Sequence, residues 1–341
     1  MKLALQLIGV VAVVLLTTAM LFTSGWTRPP IHSTQTGYRG TGMEQVESRA
    51  DKALLDYANK LPDPIDPASP DGDKATAVYK NVKVLTDLSA EQFNRVMIAI
   101  TEWVAPQQGC AYCHNVENLA DDGLYTKIVA RRMLEMTRHI NTDWKQHVAN
   151  TGVTCYTCHR GMPVPSNIWF NNPGPKQAAG FTTTNVGMGH PSPSNGSTGL
   201  TIDPYTPYLE GDEPIRVVAT QALPTGLGAP IQSTEKTYSL MIDMSKGLGV
   251  NCVFCHNSRA FSQWAESTPQ RVTAWHGIRL ARELNTTYLD PLHGVFPPER
   301  LGPQGDSPKV NCATCHQGVN KPLYGVSMAK DFPELGGVSA P

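Results

Sequence analysis

The sequence carries no cysteine before Cys110, and its 8 cysteines all fall within four stretches of five residues. Disulfide frameworks do not repeat a fixed two-residue gap with an imidazole behind it, so that class is excluded. A basic stripe is missing too: 28 Lys and Arg against 29 Asp and Glu leave a formal charge of −1, without the electrostatic footprint of a nucleic-acid binder. No Ser-His-Asp set, paired carboxylates or Gly-rich phosphate loop stands out, which removes the usual signatures of bond-making chemistry. Aromatic residues are also scarce, at 7% of the chain.

What is present is one pattern used four times: Cys110-Ala-Tyr-Cys113-His114, Cys155-Tyr-Thr-Cys158-His159, Cys252-Val-Phe-Cys255-His256 and Cys312-Ala-Thr-Cys315-His316. In C-x-x-C-H the two thiols form thioethers to the vinyl groups of a haem, and the adjacent imidazole reaches the iron from one side. A lone C-x-x-C also serves redox dithiols and half of a tetrahedral zinc site. Zinc needs no histidine directly after the second cysteine, whereas all four pairs here have one. The chain therefore reads as a tetrahaem cytochrome c with four covalently attached c-type haems. Four buried macrocycles would supply much of the apolar core, in keeping with the few aromatics. With 29 Gly and 27 Pro, the chain should be rich in turns, with short helices laid against haem faces. The expected fold class is mainly α with extensive irregular loops, organised as two pseudo-repeated dihaem halves behind an N-terminal transmembrane helix.

Residues 1–24 form the expected anchor. Lys2 precedes an apolar run from Leu3 to Phe22, whose 20 residues at about 1.5 Å each match a bilayer core of about 30 Å. A cleaved secretory signal starts in the same way, but no clear small-x-small site follows the run, so retention is expected. Lys2 favours a cytoplasmic N-terminus, which puts the haem domain on the periplasmic side of the inner membrane. Residues 25–88 read as a tether, irregular from Trp26 to Gly42, and a packing segment. In that segment Val46, Ala50, Leu54 and Tyr57 predict an amphipathic helix from Met43 to Leu61, stopped by Pro62.

The first dihaem half spans 89–162. Ser89 and Gln92 make a capping-box pattern, Phe93, Val96, Met97, Ile100 and Val104 follow at helical spacing, and Pro106 ends the helix. A second helix is expected from about Gly123 to Val148. Residues 163–232, crowded with Pro, Gly, Asn, Ser and Thr, read as a long surface-bound connecting loop. The second dihaem half and C-terminal tail span 233–341. One helix there should be capped by Ser233 or Thr234 and stopped at Gly247 or Gly249, and another should start at Thr268-Pro269.

The two halves match in sequence. Motif one continues His114-Asn115 and motif three His256-Asn257; motif two continues His159-Arg160-Gly161 and motif four His316-Gln317-Gly318. Upstream, Arg138-His139-Ile140-Asn141 aligns with Arg282-Glu283-Leu284-Asn285, an offset at which Met133 falls on Gly277. The fourth unit therefore lacks a local methionine. That bears on the sixth coordination position of each iron, because a Met/His pair raises the potential relative to bis-His ligation. Met97 lies 17 residues before His114, Met133 lies 26 before His159 and Met241 lies 15 before His256, which nominates them as distal ligands. The bland alternative for each is core packing, with Met136 and Met244 as rivals on the same helices. For the fourth iron, His147 and His276 both qualify by position, and spacing does not separate them.

From the end of the anchor onward, the chain resembles the tetrahaem cytochrome subunit of purple-bacterial photosynthetic reaction centres. The resemblance rests on the four motifs, the three methionine-bearing helices, the long central connection and the segment Cys312 to Gly325. It implies that the fourth haem is bis-His, with a distal histidine fourteen residues after the second unit's methionine, which selects His147. It also implies a role as electron donor to the photo-oxidised bacteriochlorophyll special pair, on the periplasmic face of the L and M subunits. The haem of Cys252 and Cys255 would lie nearest that pair, and a soluble cytochrome c or high-potential iron-sulfur protein would reload the far end. Many members carry a lipidated N-terminal cysteine; none precedes Cys110 here, which favours the apolar helix as the anchor. Arg271, a cation at a helix start near the third haem, would raise that haem's potential, the alternative being an ordinary ion pair with Glu266.

Two other classes use the same motifs. A multihaem reductase needs one iron with an open position, whereas here a distal ligand can be nominated for all four. Membrane-anchored tetrahaem quinol dehydrogenases are much shorter and lean towards histidine ligation. A soluble storage cytochrome without a fixed partner conflicts with the anchor. The expectation is an electron carrier rather than an enzyme, with ligands Met97, His114, Met133, His147, His159, Met241, His256 and His316.

Overall fold

The computed structural model describes residues 2–23, 32–37, 42–47, 49–170, 203–215 and 231–336. Helix α1 (Lys2–Thr23) is exposed along its length: its window Ala4–Thr23 has a mean hydropathy of 2.4 and is 0% buried. By length and composition it is able to cross a bilayer. Strands β1 (His32–Thr36) and β2 (Met43–Glu47) pair antiparallel, with Thr36 opposite Met43 and His32 opposite Glu47. The expected irregular tether therefore contains a strand, and the helix expected from Met43 begins only at α2 (Arg49–Ala58). Thr34, Thr36 and Val46 favour an extended backbone, and the partner strand that satisfies it is invisible to a search for helical period. Leu54 and Tyr57 are exposed, against expectation; α2 turns Leu55, Ala58 and Asn59 inward instead.

The N-terminal part of the chain contains α3 (Ala75–Val78), α4 (Ala90–Val104), α5 (Tyr125–Asp143), α6 (Lys145–Val148) and α7 (Cys155–His159). The capping box forms as expected: Gln92 N–H donates to Ser89 Oγ at 3.1 Å, and Ser89 N–H donates to Gln92 Oε1 at 3.3 Å. The single helix expected over 123–148 is two, interrupted at Trp144. Val96, Ala99, Trp103 and Leu134 form a core with Phe332 and Leu335, so the C-terminal stretch folds back over the first half. Arg95 and Glu334 hold it there at 3.0 Å, with 4% and 2% of their side chains exposed.

The second half contains α8 (Ile231–Leu248), α9 (Pro269–Glu283), which runs on into a π-helical turn Leu284–Leu289, and α10 (Cys312–His316). Helix α8 starts ahead of the expected caps Ser233 and Thr234, and it stops where expected, with Gly249 at φ +63°. Much of the expected connecting loop, 171–202 and 216–230, lies outside the described residues. Its described middle is not surface-bound. The turn Thr206–Glu210 and the residue before it bury Tyr205, Tyr208 and Leu209 against Leu240, Ile278 and Ala281. Tyr205 Oη donates to Asp243 Oδ2 at 2.6 Å, fastening this turn to α8. Its Pro- and Gly-rich flanks hide that short apolar run from a reading of composition.

Candidate haem-attachment site

Motifs one and three share one local design. Their first cysteines sit on 3-10 turns at Gly109–Tyr112 and Cys252–Phe254, and the second cysteine directly follows each turn. A threonine at the N-terminal end of the following helix, in its first turn or capping it, donates to the last carbonyl of each turn, Thr126 to Tyr112 and Thr268 to Phe254, both at 2.5 Å. His114 Nδ1 lies 3.0 Å from Leu119 O, and His256 Nδ1 lies 2.9 Å from Phe261 O, each carbonyl five residues on.

Motifs two and four share another. They form the short helices α7 and α10, each opened by a capping box, at Thr154 and Asn311. Each is closed by a left-handed residue, Arg160 at φ 50° and Gln317 at φ 48°, with glycine next. His159 Nδ1 lies 2.9 Å from Met162 O, and His316 Nδ1 lies 3.0 Å from Val319 O. Upstream, Asn141 brackets the backbone of Val153 with two hydrogen bonds, as Asn285 does that of Val310.

In all four motifs, then, Nδ1–H donates to a backbone carbonyl and Nε2 keeps its lone pair, the tautomer a metal requires. Burial reinforces this by holding His159, His256 and His316 towards neutrality, His316 down to about 4. Burial likewise pushes the thiols of Cys155 and Cys312 up to about 12 and that of Cys255 up to about 11. Such sulfurs are poor nucleophiles and poor thiolate ligands, whereas an uncharged thioether is at home there.

The distal positions follow. Met133 and His159 line one largely apolar cavity together with Cys155 and Cys158, and Cys113 contributes to the same wall, so sites one and two adjoin. Met136 lines it as well. Met97 shares a helix face with Thr101, whose hydroxyl lies 3.9 Å from Cys110 Sγ, so that face of α4 overlies motif one. Met241 is half-buried on α8, whereas its rival Met244 is core, 8% exposed. His147 reaches from α6 across to α9, its Nδ1 3.0 Å from Thr273 O. Its ring centre lies 6.0 Å from that of His316. Two imidazoles bound to one metal through nitrogens about 2 Å from it have centres about 6 Å apart, so the pair fits a single iron between them. Gly277 makes this approach possible, because a Cβ there would lie 2.6 Å from His147 Cε1. His276, the other nominee, packs its ring against Trp275 at 4.8 Å. The residues present fit haem, by an apolar cavity bounded by two thiols and an imidazole and by a cradle that a side chain at 277 would fill.

Sequence reasoning missed how the sites are joined. Helix α4 meets α7 through Gly161 N–H on Trp103 O at 2.8 Å. Helix α7 meets α10 reciprocally, Arg160 Nη2 donating to Cys315 O at 3.3 Å and Gln317 Nε2 to Cys158 O at 3.2 Å. Helix α10 meets α8 through Gly318 N–H on Gly247 O at 2.8 Å. The motifs thus run in the order one, two, four, three. The paired Arg-Gly and Gln-Gly steps were the available signal. At the far end the β-hairpin rests on motif three: a Cβ on Gly37 would lie 3.1 Å from Val253, and Asn251 Nδ2 donates to Met43 O at 3.4 Å. Arg271 stacks over Trp264 at 4.1 Å and donates to Ser267 Oγ at 2.7 Å.

A thiol pair followed by an imidazole whose Nδ1 is fixed by a backbone carbonyl, four times along the chain, with an apolar cavity at the first two, defines a c-type cytochrome. The chain matches the family described as "Photosynthetic reaction centre cytochrome C subunit" over residues 27–336. It is 50% identical over 319 residues to the photosynthetic reaction center cytochrome c subunit of Rubrivivax gelatinosus, covering 93% of this chain and 87% of that one. The protein of that name from Thermochromatium tepidum is 48% identical, over 95% and 79%, and that from Roseobacter denitrificans is 43% identical, over 98% and 93%. The chain belongs to the photosynthetic reaction centre cytochrome c subunit family.

Proposed function

We propose that this chain is the tetrahaem electron donor of a photosynthetic reaction centre, re-reducing the photo-oxidised bacteriochlorophyll pair held by the L and M subunits. Each bound haem supplies a one-electron iron couple. The protein fixes where those couples sit and what potentials they have. His114, His159, His256 and His316 serve as proximal ligands, Met97, Met133 and Met241 as distal ligands for sites one to three, and His147 for site four. Cys110 with Cys113, Cys155 with Cys158, Cys252 with Cys255 and Cys312 with Cys315 hold the four groups covalently. The like geometry of motifs one and three, and of two and four, supports two pseudo-repeated dihaem halves. With both faces of every iron occupied by side chains, no position is left for a substrate, which favours a carrier over a reductase.

The observation that carries the reading is the line of motifs, one, two, four, three, ending beside the membrane tether. Nine residue steps separate Thr23 from His32, at most about 30 Å in any conformation. The hairpin that begins there rests on motif three. That motif is therefore the one held near the bilayer, on its periplasmic side, and motif one is left for a soluble cytochrome c or high-potential iron-sulfur protein. Flash excitation of membranes tests this. The cytochrome is expected to oxidise as the bleached pair recovers, on the same time course; recovery with no cytochrome oxidation overturns it.

A further inference from the structure

Each nominated methionine has a hydroxyl residue one helical turn later: Met97 and Thr101, Met133 and Thr137, Met241 and Ser245. At the matching step of the fourth unit, Gly277 is followed by Ala281, so the hydroxyl is missing where the methionine is missing. Thr101 Oγ1 donates to Met97 O at 2.9 Å and also lies 3.9 Å from Cys110 Sγ. Thr137 Oγ1 donates to Met133 O at 2.8 Å, and Thr137 lines the cavity shared by Met133, Cys155, Cys158 and His159.

We infer that Thr101 and Thr137 are positioning residues for the distal methionines of sites one and two. Residues four apart share a helix face, so each threonine lies on the surface that covers its site. Its hydroxyl adds a second donor to the methionine carbonyl, which already accepts a helical N–H. Such a bond bends the helix locally and fixes the threonine's own stiff rotamer. The turn carrying the methionine is thereby held before the thioether reaches for iron, and the ordering cost of ligation falls. Back-bonding threonines are common in helices and this chain has others, among them Thr142 on Arg138 O at 3.0 Å and Thr286 on Arg282 O at 2.9 Å. Neither follows a nominated methionine by four residues, so they serve as internal controls.

The inference rests on the methionine-ligand reading, and the test separates the two. The oxidised full-length holoprotein is titrated with imidazole while the methionine-to-iron charge-transfer absorption is followed. In Thr101→Val and Thr137→Val, one haem each should exchange methionine for imidazole at about five- to tenfold lower concentration, the fold-change expected from one ordinary hydrogen bond. Thr101→Ser, Thr137→Ser, Thr142→Val and Thr286→Val should titrate as the parent does. If a valine chain fails to mature, Thr101→Ala or Thr137→Ala replaces it, with the same shift expected. Silent Thr101 and Thr137 variants, or an equal shift in Thr142→Val, overturn the inference. Met97→Ala and Met133→Ala should each remove one haem's share of the absorption. If they do so while the threonine variants are silent, only the threonine role falls; if they do not, the ligand reading falls with it.

Discussion

Sites two and four are built on the same local frame and differ at one step of one helix. Both have a capped attachment helix, a left-handed closing residue and an asparagine bracketing the backbone before it. Over site two, α5 carries Met133; over site four, α9 carries Gly277, and His147 from the other half occupies the space. With the ligands proposed above, a distal ligand would be exchanged by deleting a side chain rather than by adding one. The His147 imidazole also ties α6 to α9, through its Nδ1 3.0 Å from Thr273 O.

The largest effect, loss of a whole spectroscopic signal, should come from restoring the missing side chain. Gly277→Met places a Cβ where His147 stands, so the imidazole must leave; overpacking of this kind costs about 1–3 kcal/mol. In an electron paramagnetic resonance spectrum of the oxidised holoprotein, the bis-histidine signal should disappear; its persistence would sever the link between Gly277 and His147. Next come the bracketing asparagines. Asn285 is fully buried and its Nδ2 holds Leu209 O and Val310 O, at 2.8 and 3.0 Å, whereas Asn141 is half-buried. Asn285→Ala should destabilise by about 2 kcal/mol in chemical denaturation and Asn141→Ala by less, since more of its stranded groups reach water. Equal losses would mean that burial does not distinguish the two frames.

Ser89→Ala, which opens the capping box of α4, should cost about 1 kcal/mol in the first half alone. The smallest effect concerns pH. Arg138 donates to Asp87 at 2.7 and 2.9 Å and holds its carboxyl below the usual carboxylate range, against a smaller opposing effect of burial. Its second-half counterpart Arg282 donates to the Tyr208 carbonyl. Because the folded value is depressed, the stabilisation from Asp87 is present above about pH 4 and is lost as pH falls towards that lower value. Asp87→Asn should therefore be less stable than the parent at pH 7 by under about 1 kcal/mol, with the gap closing in acid. Arg282→Gln should show no such acid dependence.

The parts legible in the sequence were those set by neighbours along the chain. The attachment motifs, the capping box at Ser89 and the glycine stop after α8 each depend on residues within a few steps. Strand β2 was missed because its partner lies on β1, and the buried Tyr205 and Tyr208 because composition around them is that of a loop. The repeat gave away the loss of methionine at 277, yet not its purpose, since the space is filled by a residue 130 positions earlier. Spacing alone left His147 and His276 level. The ring-to-ring approach of His147 to His316 and the Gly277 cradle around His147 are long-range features that spacing does not carry.

A redox titration of the intact holoprotein, followed by absorbance, tests the central claim most directly. Three haems with methionine and histidine at higher potential and one bis-histidine haem at lower potential are expected, the low one moving when His147 is replaced. Four alike, all low, or a low component that ignores His147, would contradict it.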